Sequence, residues 1–506
     1  MMSMRRYKEG ANRSQSMLLP PSIEEYVSNE NPIRAIEAYV ESLNLEELGF
    51  QNSSGKLSSG QPAYSPASLL KLYIYGYQNR ITSSRRLEKE AHRNLELIWL
   101  MEDLKPSYKT IADFRKNNPE ALKRVSRDFV LLCKELGLLG ADLVAIDGSF
   151  FQGNASKKSI VTKTKLEKSL KALDERIEAY YKELQEQDSS DDRDGLKSLI
   201  LEENLDEKLS ELKRKTEELS KKREEKIAQL QKMENENTTQ LSSTDVDARR
   251  LNKGGGTVAG YNVQHSVDEK NKIIIDHKVT NEGNDNRQLS SMGKRSKAIL
   301  EVDELEIAAD SGYYSTNEIV NCIREDITPF VAIPDKSKAI KDQGRFTREE
   351  FKYDKDRDVY YCPAGHMLTP KGNGQIKNGL LRFLYRSDKK RCQSCVLKDQ
   401  CLKKDTNYRN LYRSEHDDII EEHQKRMLEN KDMMKKRASI VEHPFGTIKR
   451  RLGNEHFLLR GFKKVSGEMS LIVLSYNLTR AINILGLDSF KEKCQYWVQK
   501  HSKAWA

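Results

Sequence analysis

Apolar and polar positions divide the chain into blocks of different texture. Up to about residue 140 they recur at helical spacing. The stretch 32–43 is one such segment. The stretch 65–76 is another, opening with Ser65 as N-cap and Pro66 at the first helical position. Short helices are predicted around 83–101 and 109–116. Leu143-Val144-Ala145-Ile146 instead reads as a buried strand running into Asp147-Gly148-Ser149. Next, Leu166, Leu170, Leu173, Ile177, Tyr180 and Leu184 alternate at spacings of four and three. Leu205, Leu209, Leu212, Leu219 and Leu230 continue in heptad-compatible positions after a polar break at Gln187–Asp192, with Thr216 and Arg223 weakening the seam. This predicts an antiparallel helical hairpin inserted into a domain, either a dimerisation arm or a self-packed spacer.

Strand patterns return after Gly254-Gly255-Gly256. The stretches 260–267 and 273–279, around a turn at Lys270-Asn271-Lys272, read as a β-hairpin. A helical pattern follows through Leu289, Met292 and Ile299. Leu305-Glu306-Ile307-Ala308-Ala309 then repeats the opening theme, an apolar run ending in Asp310-Ser311-Gly312. The first and last of these strands are expected as neighbours in one sheet, with Asp147 and Asp310 side by side. A further helix and strand fall near 319–322 and 329–334. An insertion rich in Lys, Gly, Tyr and Cys occupies 335–404, and 415–441 reads as helix. Pro444 is expected to kink or restart that helix just after Glu442, because proline cannot donate to the carbonyl of Ile440. An apolar helix at 466–485 closes the fold.

Composition narrows the classes. A chain of 506 residues with a net charge of +10 favours a polyanionic partner. No run approaches the roughly 18 apolar residues of a membrane helix, and the basic start Met1–Glu9 lacks the apolar core of a signal peptide. The expected location is the cytoplasm, with no membrane partner. Four of the seven cysteines fall within 362–401. Cys392 and Cys395 have the spacing by which two thiolates meet one tetrahedral ion, and Cys362 and Cys401 complete a candidate zinc site, with His366 as substitute. The alternative is four reduced structural cysteines. Ser83–Ala91 followed by Ser107–Lys116 is either a helix-turn-helix variant whose Arg and Lys meet phosphates or part of an ordinary helical bundle.

A lone acid after a strand is more often a turn cap than a ligand. Two such acids, with Glu442 set among basic residues, change that balance. Three converging carboxylates need cations between them, and oxygen-only ligands select Mg²⁺ or Mn²⁺. Two such ions would activate a water or sugar hydroxyl and stabilise the leaving oxygen of a phosphodiester. Arg437 and Lys449, followed by Arg450, Arg451, Lys463 and Lys464, would meet nucleic-acid phosphates.

The strings Asp147-Gly148-Ser149, Asp310-Ser311-Gly312-Tyr313 and Val441-Glu442-His443-Pro444-Phe445-Gly446-Thr447-Ile448-Lys449 resemble those of the DDE transposases of bacterial insertion sequences, in the branch with a late Arg, Glu and Lys motif. The resemblance covers nearly the whole chain. The family pattern has three residues between Arg and Glu; here four separate Arg437 from Glu442. The resemblance implies an α/β fold with a ribonuclease-H-like mixed sheet and flanking helices, whose first acid lies on the first strand, second near the end of the fourth, and third on a following helix. It implies a transposase that binds the terminal repeats of its element as double-stranded DNA, then cleaves and rejoins strands using two Mg²⁺ or Mn²⁺ ions on Asp147, Asp310 and Glu442. A homodimer in the DNA complex and a place on the bacterial nucleoid follow from the same resemblance. Rival readings are a metal-dependent nuclease without strand transfer and a non-catalytic DNA-binding derivative. The expected parts are an all-α DNA-binding region at 1–140, catalytic segments at 141–160, 250–334 and 405–506, the inserted helical hairpin at 161–240, and the Cys-containing insertion at 335–404.

Overall fold

A computed structural model describes residues 22–52, 62–191, 199–253, 256–335, 337–377 and 379–502, without the side chains of 184–209, 253 and 500–502. Met1–Glu9, Gly254, Gly255, Asp192 and the side chains of Leu184, Leu205 and Leu209 therefore lie outside the described residues. The chain forms two compact units. No single described helix is long and apolar enough to cross a membrane.

The first unit joins Met1–Leu136 to Thr447–Asn454 and Lys463–Ala506. Its N-terminal helices are α1 (Ile33–Glu41), α2 (Pro66–Gln78), α3 (Ser84–Ala91), α4 (Leu95–Leu100), α5 (Tyr108–Asn117) and α6 (Pro119–Glu135). Side-chain caps start several of them: Ser65 accepts from the Ala67 amide, Asn94 from Glu96 and Ser107 from Thr110. Buried tyrosines join them, with the Tyr73 hydroxyl donating to the Ile111 carbonyl (2.7 Å) and Tyr39 to that of Val125 (3.0 Å). α3 and α5 pack together but are separated in sequence by α4, so they are not joined by the short turn of a helix-turn-helix. Arg115, expected as a phosphate contact, is buried.

The second unit is Gly137–Gly446 with Glu455–Phe462. Its main sheet begins with β1 (Leu143–Gln152). Next comes a small ladder of β2 (Ile160–Thr162) and β3 (Gln240–Ser242), the base from which the hairpin of α7 (Lys163–Asp191) and α8 (Leu199–Asn235) projects. The two helices pack on each other, with Leu166, Leu173 and Leu212 buried. The seam's two weak positions are satisfied locally: Thr216 donates to the Leu212 carbonyl (2.8 Å) and Arg223 pairs with Asp174. β4 (Arg249–Lys253), β5 (Gly256–Asp268), β6 (Ile274–Thr280), α9 (Leu289–Leu300), β7 (Leu305–Ala309), α10 (Thr316–Ile323) and β8 (Ile327–Val331) complete this part. The sheet order is β4-β5-β1-β7-β8, with β6 also paired to β5. β1 runs antiparallel to β5 and parallel to β7, and β7 is parallel to β8. This is a mixed α/β fold, and the first and last strands of the sequence reading are neighbours as expected.

The insertion is richer in strands than its polar sequence suggests. After a short α11 (Lys338–Lys341), it holds β9 (Lys352–Asp354), β10 (Val359–Tyr361), β11 (Met367–Lys377), β12 (Leu380–Ser387), α12 (Lys389–Gln393), α13 (Lys398–Cys401) and β13 (Asn410–Ser414). The strands form an antiparallel meander in sequence order around Phe351, Tyr360, Leu368, Tyr385 and Leu411. It thus extends past the expected boundary at 404. α14 (Asp417–Glu429) and α15 (Met433–Gly446) follow. Pro444 does not end or restart the helix after Glu442: α15 continues to Gly446, and the irregularity falls in a π-helical turn at Thr447–Arg451.

In the first unit, α16 (Phe462–Leu485) contains the predicted apolar helix and α17 (Leu487–Ser502) follows it. Most of both helices packs with the N-terminal helices, not with a third catalytic segment. A buried polar cluster explains this placement. Glu468 of α16 faces Arg115 of α5 at 3.5 Å and accepts from the Tyr77 hydroxyl at 3.1 Å, while Arg115 donates to the same hydroxyl at 2.8 Å.

Candidate active site

Asp147 and Asp310 are brought together by strand register. The parallel pairing of β1 and β7 runs Leu143↔Glu306, Val144↔Ile307 and Ala145↔Ala308, then stops. Each acid lies two residues beyond the last paired position. Asp147 is not at a strand end, as expected from its apolar run, because β1 continues to Gln152 against β5, with Asp147 opposite His265. Asp310 does leave its strand and caps the turn Ser311–Tyr313, its Oδ1 accepting from the Gly312 amide (2.9 Å).

One guanidinium lies between the two carboxylates. Arg437 of α15 places Nη2 2.9 Å from Asp147 Oδ1 and 3.7 Å from Asp310 Oδ2. Its side chain is 12 % exposed, against 23 % for Asp147 and 48 % for Asp310. α15 packs on β1 and β7 through a face that includes Ile440, Val441 and Pro444. Glu442 follows Arg437 by five residues, about 140° round a regular helix, and is exposed. It does not join the pair: among the described residues, no three His, Cys, Asp or Glu side chains are arranged to hold a metal ion. α15 turns Arg437, not Glu442, toward the acids.

The other candidate cations divide between the units. Arg437 belongs to the second; Lys449, Arg450, Arg451, Lys463 and Lys464 belong to the first. Arg450, Arg451 and Lys463 are exposed, and the carbonyls of Arg450 and Arg451 accept from Arg80, which holds their turn in place.

A further acid lies near the Asp310 turn. Asp285 lies between β6 and α9, and its Oδ1 accepts from Asn262 Nδ2 (2.8 Å) and Gln264 Nε2 (2.6 Å), both on β5. Gln264 in turn accepts from the Tyr313 hydroxyl. Burial, and then the charges of Asp285, Asp147 and Asp310, push the Tyr313 phenol well above its ordinary range, while Arg437 pulls the other way. Tyr313 is thus a protonated donor among these acids. The sequence reading missed Asp285 because Asn281-Glu282-Gly283-Asn284 precedes it in place of an apolar run.

Cys362, Cys392, Cys395 and Cys401, all free thiols, line one small cavity with His366. Burial pushes the Cys401 thiol up to about 11, with Arg409 pulling it down and the other three cysteines adding to the rise. Cys392 donates to Ser387 Oγ (2.9 Å), and the His366 amide donates to Cys362 Sγ (3.3 Å). The spacing therefore gathers the thiols as expected, although no metal-holding arrangement is formed among the described residues.

Comparison with known proteins gives two matches to family models. Residues 21–117 match a transposase domain (DUF772), and residues 361–482 match a transposase DDE domain. No curated protein matches. A solved structure of piggyBac transposase in a synaptic complex with hairpin DNA aligns over 93 % of this chain and 79 % of that one, at 9 % identity and a TM-score of 0.31. At that score the alignment bears on neither fold nor site. The two family matches cover the N-terminal helices and the stretch from the cysteine insertion through Glu442 to α16, and by them the chain carries a transposase domain and a transposase DDE domain.

Proposed function

We propose that the second unit has a ribonuclease-H-like core and that the protein cuts DNA at the ends of its mobile element and joins the freed ends to a new site, using divalent metal. The strand order β6-β5-β1-β7-β8, antiparallel across the hairpin and parallel beyond it, supports the fold reading. The observation that carries the chemistry is the shared guanidinium between Asp147 and Asp310. Two carboxylates from adjacent strands already hold one cation between them, and Arg437 stands in for it. All four donor atoms are hard oxygens, and Mg²⁺ is commonly held by one or two carboxylates plus substrate phosphates. The residues present therefore fit Mg²⁺ or Mn²⁺.

A bound ion supplies Lewis acidity to the phosphoryl group and eases deprotonation of the attacking water. Asp147 and Asp310 would hold it. In the first step water oxygen bonds to phosphorus and the 5′-side P–O bond is retained, so the 3′ oxygen leaves as a hydroxyl. In the second that hydroxyl attacks a target phosphodiester and displaces the target's own 3′ oxygen. Arg437, released from the acids, pairs with a phosphate oxygen. Glu442 is the third acid on the strength of its motif, and it would have to turn toward the pair. Arg450, Arg451, Lys463, Lys464 and Lys449 hold DNA backbone by charge. DNA ends are brought together by two copies of the chain. The four cysteines fit the soft, tetrahedral S₄ donor set of a structural zinc ion; purified protein is expected to carry about one zinc per chain, and its absence would leave them as reduced core residues.

A precut end separates transposase from nuclease. With a recessed 3′-hydroxyl end, Mn²⁺ and a plasmid target, joined products are expected on a gel. Cleavage of intact ends without any joining would favour the nuclease.

A further inference from the structure

Asp147 and Asp310 each accept a hydrogen bond from the backbone amide of a following glycine. Gly148 donates to Asp147 Oδ1 and Gly312 to Asp310 Oδ1, both at 2.9 Å. The chain around those glycines therefore sets where the two acids point. One group of side chains backs both glycines. In the pairing of β1 with β5, Asp147 is opposite His265 and Gly148 opposite Gln264. Side chains alternate along a strand, so Gln264 lies on the sheet face away from the Asp147 carboxylate. A Cβ at Gly148 would sit 2.5 Å from Gln264 Nε2 and 2.6 Å from Asp285 Oδ1, across the bond between them. That bond thus lies against the β1 backbone at the residue after Asp147, and glycine is what lets it do so. The equivalent point at Gly312 is 3.9 Å from Asp285 Oδ2.

The polarity of this group is fixed from one end. A carboxylate only accepts, so Gln264 must turn Nε2 to Asp285, at 2.6 Å. Its Oε1 then faces the other way and takes the Tyr313 hydroxyl. Asp285 is itself pinned by Asn262 Nδ2 at 2.8 Å, which also donates to the Glu282 carbonyl of the same loop at 3.2 Å. Gln264, Asn262 and Tyr313 are fully buried, so bulk water does not compete for these bonds. Tyr313 in turn closes the turn that Asp310 caps, its amide donating to the Asp310 carbonyl at 3.2 Å.

We propose that Gln264 is a positioning residue for the two acids: from the opposite face of the sheet it ties the Asp310 turn, through Tyr313, to the backbone that carries Asp147, and so sets the separation of the two carboxylates. This rests on the reading of Asp147 and Asp310 as the reacting acids. Gln264 acts through Tyr313 and Gly148, not on the reacting groups, and Asp285 fixes which way its carboxamide points. Its part is geometric, and small displacements of reacting groups are costly in rate.

The test uses Tyr313→Phe, which keeps the ring and removes the hydroxyl. Amide hydrogen exchange of the full-length protein without DNA is read by mass spectrometry over the peptide containing Ser311–Tyr314. It is set beside kcat and KM for cleavage of an element-end duplex with Mg²⁺. The variant is expected to exchange about tenfold faster in that turn and to lose about tenfold in kcat, with KM for DNA unchanged. Gln264→Met is expected to do the same, and the double variant no more than the worse single, since all three break one link. Circular dichroism melts check the fold; if Gln264→Met does not fold, Tyr313→Phe decides alone. Losses that multiply in the double variant would overturn the link. So would wild-type exchange, or wild-type kcat, in a folded Tyr313→Phe when Asp147→Asn has lost cleavage. Wild-type cleavage in Asp147→Asn and Asp310→Asn would instead overturn the underlying reading of the acids.

Discussion

Asp147→Asn is expected to lower strand cleavage about a thousandfold or more while leaving binding to element ends intact. The substitution is nearly isosteric. The carboxamide that replaces the carboxylate would still offer an oxygen to the Gly148 amide, which donates to Asp147 Oδ1 at 2.9 Å, so β1 keeps its local geometry. What is lost is the charge that meets Arg437 at 2.9 Å and that the proposal assigns to metal. A gel assay of cleavage with Mg²⁺, paired with a mobility shift on the same DNA, separates the two effects. Cleavage that survives with normal binding would remove Asp147 from the chemistry. Loss of both together would mean that the substitution acts on the fold.

The second large effect lies in the first unit and concerns stability. Glu468→Ala is expected to destabilise that unit by about 3–5 kcal/mol, because it leaves a buried cation without its partner. Arg115 and Glu468 are 5 % and 2 % exposed, so water cannot replace what is removed. Burial works against the charge on Arg115, and Tyr77, Glu468 and Tyr73 outweigh it, raising its pKa. Urea unfolding followed by circular dichroism measures the change. Exchanging both partners at once, Arg115→Met with Glu468→Leu, should recover most of the loss, since it removes the stranded charge along with the pair. Equal destabilisation of the single and double variants would show that packing around α16, and not charge, sets the cost.

The parts of the fold legible in the sequence are those encoded by short-range patterns. Apolar runs at 143–146 and 305–309 mark strands buried on both faces, and both form, paired to each other. The heptad residues Leu166, Leu173 and Leu212 bury as their spacing implies. The insertion was opaque for the opposite reason. β11 reads Met-Leu-Thr-Pro-Lys-Gly-Asn-Gly-Gln-Ile-Lys, which has neither alternation nor an apolar run, and its pairing is supplied by β12 and β10. Long-range contacts were equally hidden. Glu468 is a charged residue within an apolar helix, and nothing local to it in the sequence points to its buried partner Arg115.

The candidate site divides along the same line. Asp147 and Asp310 are visible because each follows an apolar run. Asp285 follows a polar loop and is held by Asn262 and Gln264, which reach it from the neighbouring hairpin. Arg437 was expected to hold phosphate; the structure gives it to the two acids instead. That difference comes from helix geometry, because Arg437 and Glu442 lie on one helical run of α15 with five residues of turn between them. An unbroken helix carries one register through Arg437 and Glu442, and only one of them can face the acids. Metal and DNA would therefore compete with Arg437 for Asp147 and Asp310, which makes its position the most informative feature of the site.

The central claim is that Asp147 and Asp310 share a cation. Anomalous diffraction from crystals grown with Mn²⁺ and a DNA end tests it directly. The account predicts a manganese peak between the two carboxylates, with the Arg437 guanidinium moved off them and onto phosphate. A map with no peak there, and Arg437 still bridging Asp147 and Asp310, would contradict it.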